Sequence, residues 1–295
     1  MITEAAPAAA ESATAGARPR AAGFFAGSFR VAAFSLSRSI FSFRTWGLLL
    51  FGCLPAVLVG LRGVLFEIPV RDFEAGALFF HFVFITATVQ FYLLFCSVLL
   101  GAGAFSEEVE DQTLVYLFSR PIPRGAVFLG KLASAVVVAT AILSATALAA
   151  WAMRGGRFGS GAAENVPASF LQAILCCGIL ALGAAAYSSA FAAIGTIIKK
   201  PLLVGILIAF GWEVVVSNIP GVIPSVTVMY YLRSLFFAVF GPLPIPMPER
   251  GLFMRADRFV SASDAILVLA FVTAFFSGLG AYVVSKREYV LNRAE

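Results

Sequence analysis

The sequence predicts an all-α, polytopic membrane protein with six transmembrane helices. Of its 295 residues, 60% are hydrophobic and 13% are charged, whereas a soluble domain has roughly 45–50% apolar and about 25% charged residues. The mean hydropathy is +0.94. Six apolar stretches approach the about 20 residues that a helix needs to cross the hydrocarbon layer. Lys and Arg gather in the loops on one side of these stretches, which is typical of cytoplasmic loops.

The composition excludes several classes of protein. The sequence contains one histidine, His81, so it cannot form an HExxH motif or a histidine cluster. Four cysteines lie inside apolar runs without a CxxC pattern: Cys53, Cys96, Cys176 and Cys177. Such cysteines usually act as small buried hydrophobic residues. The net charge of +5 reflects the cationic loops. We therefore expect no metal, no cofactor and no nucleic-acid binding in this chain.

Residues 23–45 are predicted to form an amphipathic helix at the membrane interface, after a disordered cytoplasmic tail at 1–22. Apolar side chains recur at alternating steps of four and three, the period of one helix face: Phe29, Ala33, Leu36, Ile40 and Phe43. The opposite side holds Ser28, Ser35, Arg38 and Ser42. Arg30 and Arg44 flank the helix, where long cationic side chains can reach lipid headgroups. A helix that packs on a partner protein is the alternative.

The transmembrane domain is predicted over 46–285. Its six apolar stretches are 46–66, 77–104, 132–153, 168–198, 201–217 and 264–285. A further apolar run, 226–240, lies between prolines and is too short to cross, so we predict a re-entrant segment at 222–240 before the last span. The prolines are Pro220, Pro224, Pro242 and Pro244. Residues 286–295 form a C-terminal tail.

The distribution of cationic residues predicts the orientation. Lys and Arg precede the first span, lie between the second and third and between the fourth and fifth, and follow the sixth. All of these positions fall on one side of a six-span arrangement, which is cytoplasmic by the positive-inside rule. We therefore expect a multi-pass protein of the plasma (inner) membrane, in contact with the lipid bilayer, with both termini in the cytoplasm.

The segment 105–131, FSEEVEDQTLVYLFSRPIPRGAVFLGK, is predicted to contain a short amphipathic helix on the cytoplasmic face. Ser106 can cap a first turn that holds Glu107, Glu108 and Glu110, where the helix dipole favours negative charge. Arg120 and Pro121 end the pattern. Acidic residues beside a membrane repel anionic lipid, so a basic protein partner suits them better. A solvated loop is the alternative.

This segment resembles the cytoplasmic loop of ABC-2 type transporter permeases, in which two acids, Gly-Thr-Leu, a Leu pair, Arg-Pro and Arg precede a Gly-Lys pair at the next span. Its matching residues are Glu108, Glu110, Thr113, Leu114, Leu117, Arg120, Pro121, Arg124, Gly130 and Lys131. Gln112 stands where that family often has Gly. The Glu-Asp-x-Thr and Tyr-Leu-x-x-Arg-Pro runs are similar to those of permeases associated with multicopper-enzyme maturation.

The resemblance implies a division of labour between subunits. The chain would form half of a homodimeric or heterodimeric export channel and would not be an enzyme. A separate ATPase subunit would bind ATP and Mg. The loop would dock on that ATPase as a coupling helix, through Glu107, Glu108, Glu110, Thr113, Leu114, Leu117, Arg120, Pro121, Arg124 and Lys131.

One apparent nucleotide-binding motif lacks a residue that it needs. Residues 125–131 fit GxxxxGK, but Leu132 follows, where a phosphate-binding loop needs a Ser or Thr hydroxyl. The run also continues into a predicted span instead of following a strand. We therefore expect no ATP binding by this chain.

Two polar residues within the spans are candidates for the translocation path, because ionisable and polar groups are costly in a membrane. Glu213 lies in the fifth span and Gln90 in the middle of the second. Glu213 could instead pair with a cation such as Arg233, and Gln90 could simply join two helices. His81 and Arg62 are interpreted as structural residues near solvated span ends.

Two other functions are alternatives. A secondary transporter could move protons through Glu213, although no inverted repeat is visible. An intramembrane protease could begin EExxxR at Glu107 and Glu108, but Gln112 occupies the Arg position.

Overall fold

The computed structural model describes residues 24–66, 73–104, 123–153, 166–198, 200–219, 222–241 and 260–286. All regular structure in these residues is helical. Seven helices are α1 (Phe24–Ile40), α2 (Phe43–Gly60), α4 (Arg124–Met153), α5 (Val166–Ile197), α6 (Pro201–Val214), α7 (Val228–Phe240) and α8 (Ala262–Lys286). Helix α3 is made of consecutive runs: Phe73–Val83, π-helical Phe84–Tyr92, Leu93–Ser97 and π-helical Val98–Ala102. The predicted N-terminal tail, residues 287–295 of the predicted C-terminal tail and residues 105–122 lie outside the described residues.

Five of these helices, α2, α3, α4, α5 and α8, are long and apolar enough to cross a membrane. The predicted fifth span, α6, is shorter, and at about 1.5 Å per residue it extends about 21 Å, less than the about 30 Å of a hydrocarbon layer. Helix α4 begins at Arg124, so the last part of the predicted coupling segment is already helical. The first predicted span breaks at Leu61.

Helix α4 contacts α1, α2, α5 and α8 and is the centre of the bundle. Small residues allow the close approaches: a Cβ at Gly130 would lie 2.5 Å from the backbone oxygen of Ser28 in α1. A Cβ at Gly280 in α8 would lie 2.1 Å from the ring of Phe128. Large apolar side chains remain exposed on α2 and α8, among them Leu50, Leu267 and Phe271. An apolar surface of this kind suits a lipid environment.

The contact face of α1 is formed by small side chains. Val31 is buried against α4, and the Ser35 and Ser134 hydroxyl oxygens are 2.9 Å apart. Phe25 and Phe29 are 86% and 75% exposed. The serine face therefore contacts protein and the aromatic face points away from it. The physical reason is that small side chains let helices approach closely, whereas an apolar surround does not drive large side chains inward.

Helices α6 and α7 run in the same direction, because both run antiparallel to α3. The neighbouring pairs are Gly205 with Val98, Phe210 with Phe91, Arg233 with Gln90, Phe236 with Phe84 and Phe240 with His81. The connection between the two parallel helices must therefore turn back on itself. It includes a short 3-10 turn, Ile223–Val226. Helix α7 begins beside the end of α6 and continues in the same direction along α3, so the two helices together follow one course from the level of Val98 to that of His81. The predicted re-entrant segment would instead return to the side from which it entered, and α7 does not do so.

Candidate functional site: a buried polar cluster and a cationic clamp

A polar cluster lies between α3, α5, α6 and α7, and we call it the Arg233 cluster. It consists of Gln90, Tyr187, Glu213, Asn218 and Arg233. All but the half-buried Asn218 are buried. Polar groups in an apolar interior are stable only when hydrogen bonds replace the water that they lose, so the partners of each group define the site.

Glu213 caps the start of α7. Its Oε1 accepts a hydrogen bond from the Val228 N–H at 3.2 Å, and its Oε2 accepts one from the Met229 N–H at 3.4 Å. The Tyr187 hydroxyl donates to the same Oε2 at 3.0 Å. The first N–H groups of a helix have no partner within the helix, and its positive end favours a carboxylate. Glu213 therefore stabilises the beginning of α7 at a depth where water is scarce.

Arg233 makes the return contact from α7 to the end of α6. Its Nη1 donates to the Ser217 carbonyl oxygen and to Asn218 Oδ1, both at 3.3 Å. Its Nη2 donates to Asn218 Oδ1 at 3.2 Å and to Gln90 Oε1 in α3. Glu213 and Arg233 thus belong to one cluster, as the alternative interpretation expected, but their hydrogen bonds go to different partners. Arg233 Nε and Gln90 Nε2 have no hydrogen-bond partner among the described residues.

Both candidate path residues lie in π-helical runs. Gln90 is in Phe84–Tyr92 and Glu213 is in Leu207–Val214. A π-helical turn is wider than an α-helical one, is rare, and is frequent at functional sites. The two runs place Gln90 and Glu213 at the same cluster, where Gln90 bonds to Arg233 of α7 and Glu213 bonds to the first N–H groups of α7.

A second polar feature lies at the other described end of α3, and we call it the Lys131 clamp. Lys131 is buried, and its Nζ donates to the Ala104 carbonyl oxygen at 3.1 Å. The Arg44 guanidinium donates to the Leu99 carbonyl oxygen and lies against Gly103, where a Cβ would be 2.3 Å from Nη2. Cations at a helix C-terminus satisfy its unpaired carbonyls and complement its dipole. Arg44 thus faces the protein, which corrects its expected position among headgroups.

The remaining predicted coupling residues divide into two groups. Arg124 is exposed at the first residue of α4. The others lie outside the described residues: Glu107, Glu108, Glu110, Thr113, Leu114, Leu117, Arg120 and Pro121. Residues 125–131, the apparent nucleotide motif, are helical. A phosphate-binding loop needs free backbone N–H groups, so this geometry argues against one here.

Arg62 and His81 were expected near solvent, and the structure corrects this for both. Arg62 is 0% exposed, and its Nη1 donates to the Met153 carbonyl oxygen at 3.3 Å. His81 is also buried, with its ring centroid 4.9 Å from that of Phe240 and 5.5 Å from that of Phe236. Backbone carbonyls and aromatic rings surround these residues instead of water. Among the described residues, no three His, Cys, Asp or Glu side chains are placed to hold a metal ion.

Three members of these sites were not predicted from the sequence: Tyr187, Asn218 and Arg44 as a helix cap. Tyr187 follows a run of Gly and Ala that gives no sign of a polar role, and Asn218 sits at the end of an apolar run. The sequence does mark Arg44, because it is the only cation in the apolar helix α2.

Comparison with known families assigns the chain. The profile described as ABC-2 family transporter protein matches residues 39–216, more than half of the 295 residues. The matched stretch contains the segment 105–131, Gln90 and Glu213, whereas Arg233 lies beyond it. No curated protein matches the chain. With five helices long enough to span a bilayer and this match across the first four of them, the chain belongs to the ABC-2 transporter family as a multi-pass membrane permease.

Proposed function

We propose that the chain is the permease subunit of an ATP-driven exporter. In this proposal two permease chains form the translocation path in the plasma membrane, with their termini in the cytoplasm. A separate ATPase subunit binds ATP and Mg. The observation that carries the proposal is the family match over 39–216, which includes the acidic motif segment between α3 and α4.

The proposed coupling element is Glu107 to Arg124. It joins the end of α3 to the start of α4, and both ends are held close together because Lys131 of α4 bonds to Ala104 of α3. Because both ends of this segment are fixed on long helices, a movement of the docked ATPase would move those helices as rigid bodies. The acidic first turn supplies charge that a basic surface on the ATPase would attract.

Gln90 and Glu213 are proposed to belong to the moving part of the path. Gln90 lies on α3, which leads directly into the coupling segment, and Glu213 lies on α6. Each is buried in a π-helical run. Gln90 accepts a hydrogen bond from Arg233 of α7, and Glu213 caps the start of the same helix. A movement of α3 would therefore reach Glu213 through α7.

The test is a double charge reversal, Glu108→Lys with Glu110→Lys, followed by affinity capture of the ATPase from membranes. We expect normal membrane yield and loss of capture, because charge repulsion opposes docking while exposed charges contribute only about 0–1 kcal/mol per pair to stability. The matched control, Glu4→Lys with Glu11→Lys, changes the net charge equally in the predicted cytoplasmic tail and should capture normally. Full capture by the first variant at normal yield would remove the segment from the coupling role.

A further inference from the structure

Helices α6 and α7 cap each other across the connection that joins them. Glu213, near the end of α6, accepts hydrogen bonds from the first N–H groups of α7. Arg233, in the second turn of α7, donates to the carbonyl oxygen of Ser217 just after α6. Each helix therefore supplies the charge that the end of the other requires. Reciprocal caps of this kind resist separation of the two helices.

Helix α7 packs against α5 and α8, but the hydrogen bonds from this pair of helices to the rest of the bundle are fewer than those between the two helices, and they are unequal. On the α5 side, the Tyr187 hydroxyl makes a hydrogen bond to Glu213. On the α3 side, Arg233 donates to Gln90 while Arg233 Nε and Gln90 Nε2 remain without a hydrogen-bond partner. Buried donors without acceptors are costly. The α3 side is thus the less satisfied boundary of the cluster.

The π-helical runs lie at this boundary. The run Phe84–Tyr92 contains Gln90, and Leu207–Val214 contains Glu213. In both runs the wider turn can convert to an α-helical one with a local shift of the helix, so each run is a place where sliding can be absorbed.

We propose that Arg233 is a positioning residue that makes α6 and α7 one rigid unit, and that its contact with Gln90 is made and broken as α3 moves. This rests on the proposed transport function, since the movement of α3 is that of the coupling segment. Glu213 keeps its hydrogen bonds to the start of α7, whereas Gln90 loses and regains its hydrogen bond to Arg233.

The rigid unit is tested on the chain alone by its melting temperature in detergent. Glu213→Gln and Arg233→Met should each lower it, and the double variant should lose no more than the larger single loss, because each single change leaves the opposite buried charge without compensation and the double change does not. Losses that add, or no loss in either single variant, would overturn the rigid unit.

The exchangeable contact is tested with Gln90→Glu in the complex of the full chain with its ATPase in lipid vesicles. The carboxylate keeps the acceptor for Arg233 and replaces the unpartnered amide, so the melting temperature should equal or exceed that of the unchanged protein. ATPase turnover should fall about tenfold or more, since a charged acceptor strengthens the bond that must break. Gln172→Glu, the same change in α5, should leave turnover unchanged.

Two outcomes would overturn the exchangeable contact: turnover that falls less than about tenfold, or turnover that falls together with the melting temperature, which a purely structural Gln90 predicts. Failure of the proposed function has a different result. In that case the unchanged complex would show no ATPase capture or turnover at all, while the melting-temperature test of the rigid unit would still decide its part.

Discussion

The Arg233 cluster and the Lys131 clamp use charged groups inside an apolar bundle in different ways. In the clamp, Arg44 and Lys131 each bind one backbone carbonyl at the end of α3. In the cluster, Glu213 and Arg233 together bind two helix ends, two side chains from neighbouring helices and Asn218. The clamp places its two cations at one end of a single helix, whereas the cluster joins side chains from four helices.

The difference predicts unequal energetics. A cation at a helix C-terminus contributes about 0.3–1 kcal/mol, and up to about 2 kcal/mol when partly buried. Removing one member of a buried charge pair costs about 3–5 kcal/mol, because the remaining charge stays buried without compensation. The same substitution, cation to methionine, should therefore have a much larger effect in the cluster than in the clamp.

The largest expected effect is that of Arg233→Met. We expect a loss of about 3–5 kcal/mol of stability, since Glu213 loses its nearby positive charge and Ser217 and Asn218 lose their donor. Thermal or denaturant unfolding in detergent measures it. Arg38→Met, the same change at an exposed position of α1, is the control and should cost less than about 0.5 kcal/mol. Equal losses at the two positions would contradict the network.

The sequence predicted most of the fold because membrane insertion is a local property. About 20 apolar residues suffice to form a span whatever their neighbours are, so the stretches now seen as α2, α3, α4, α5 and α8 were recognisable. The coupling motif is local too, but its acidic part lies outside the described residues, so its docking role stays a prediction.

The Arg233 cluster could not be predicted, because it depends on which helices are neighbours. Gln90 and Arg233 are 143 residues apart in the chain, and nothing local in either stretch points to the other. Glu213 was recognised as unusual, yet its role as the cap of α7 depends on the backward turn before Val228. The contact face of α1 was not predicted either, because serines on a helix usually face solvent in a soluble protein but allow close packing between helices in a membrane.

An intermediate loss of stability is expected for Gly130→Ala, which tests how closely α1 packs on α4. The new Cβ would lie 2.5 Å from the Ser28 backbone oxygen and 2.9 Å from Val31 Cβ, so α1 must move away from α4. Overpacking costs about 1–3 kcal/mol. Gly178→Ala is the control, because nothing lies within 4 Å of its Cβ position, and its better helix propensity should stabilise by up to about 1 kcal/mol. A neutral Gly130→Ala would mean that α1 is only loosely attached.

The smallest effect on overall stability is expected for Lys131→Met, and it separates local from global roles of the clamp. The loss should be about 0.3–1 kcal/mol, because Arg44 still holds Leu99 and the methionine stem can occupy the same apolar space. Loss of the Ala104 contact should nevertheless loosen the last turn of α3, so hydrogen exchange at residues 100–104 should speed up while exchange at 88–93, beside the Arg233 cluster, stays unchanged. Lys286→Met, at the exposed end of α8, should alter neither. Faster exchange in both regions would show that the clamp and the cluster form one network through α3, and the contrast between them would fail.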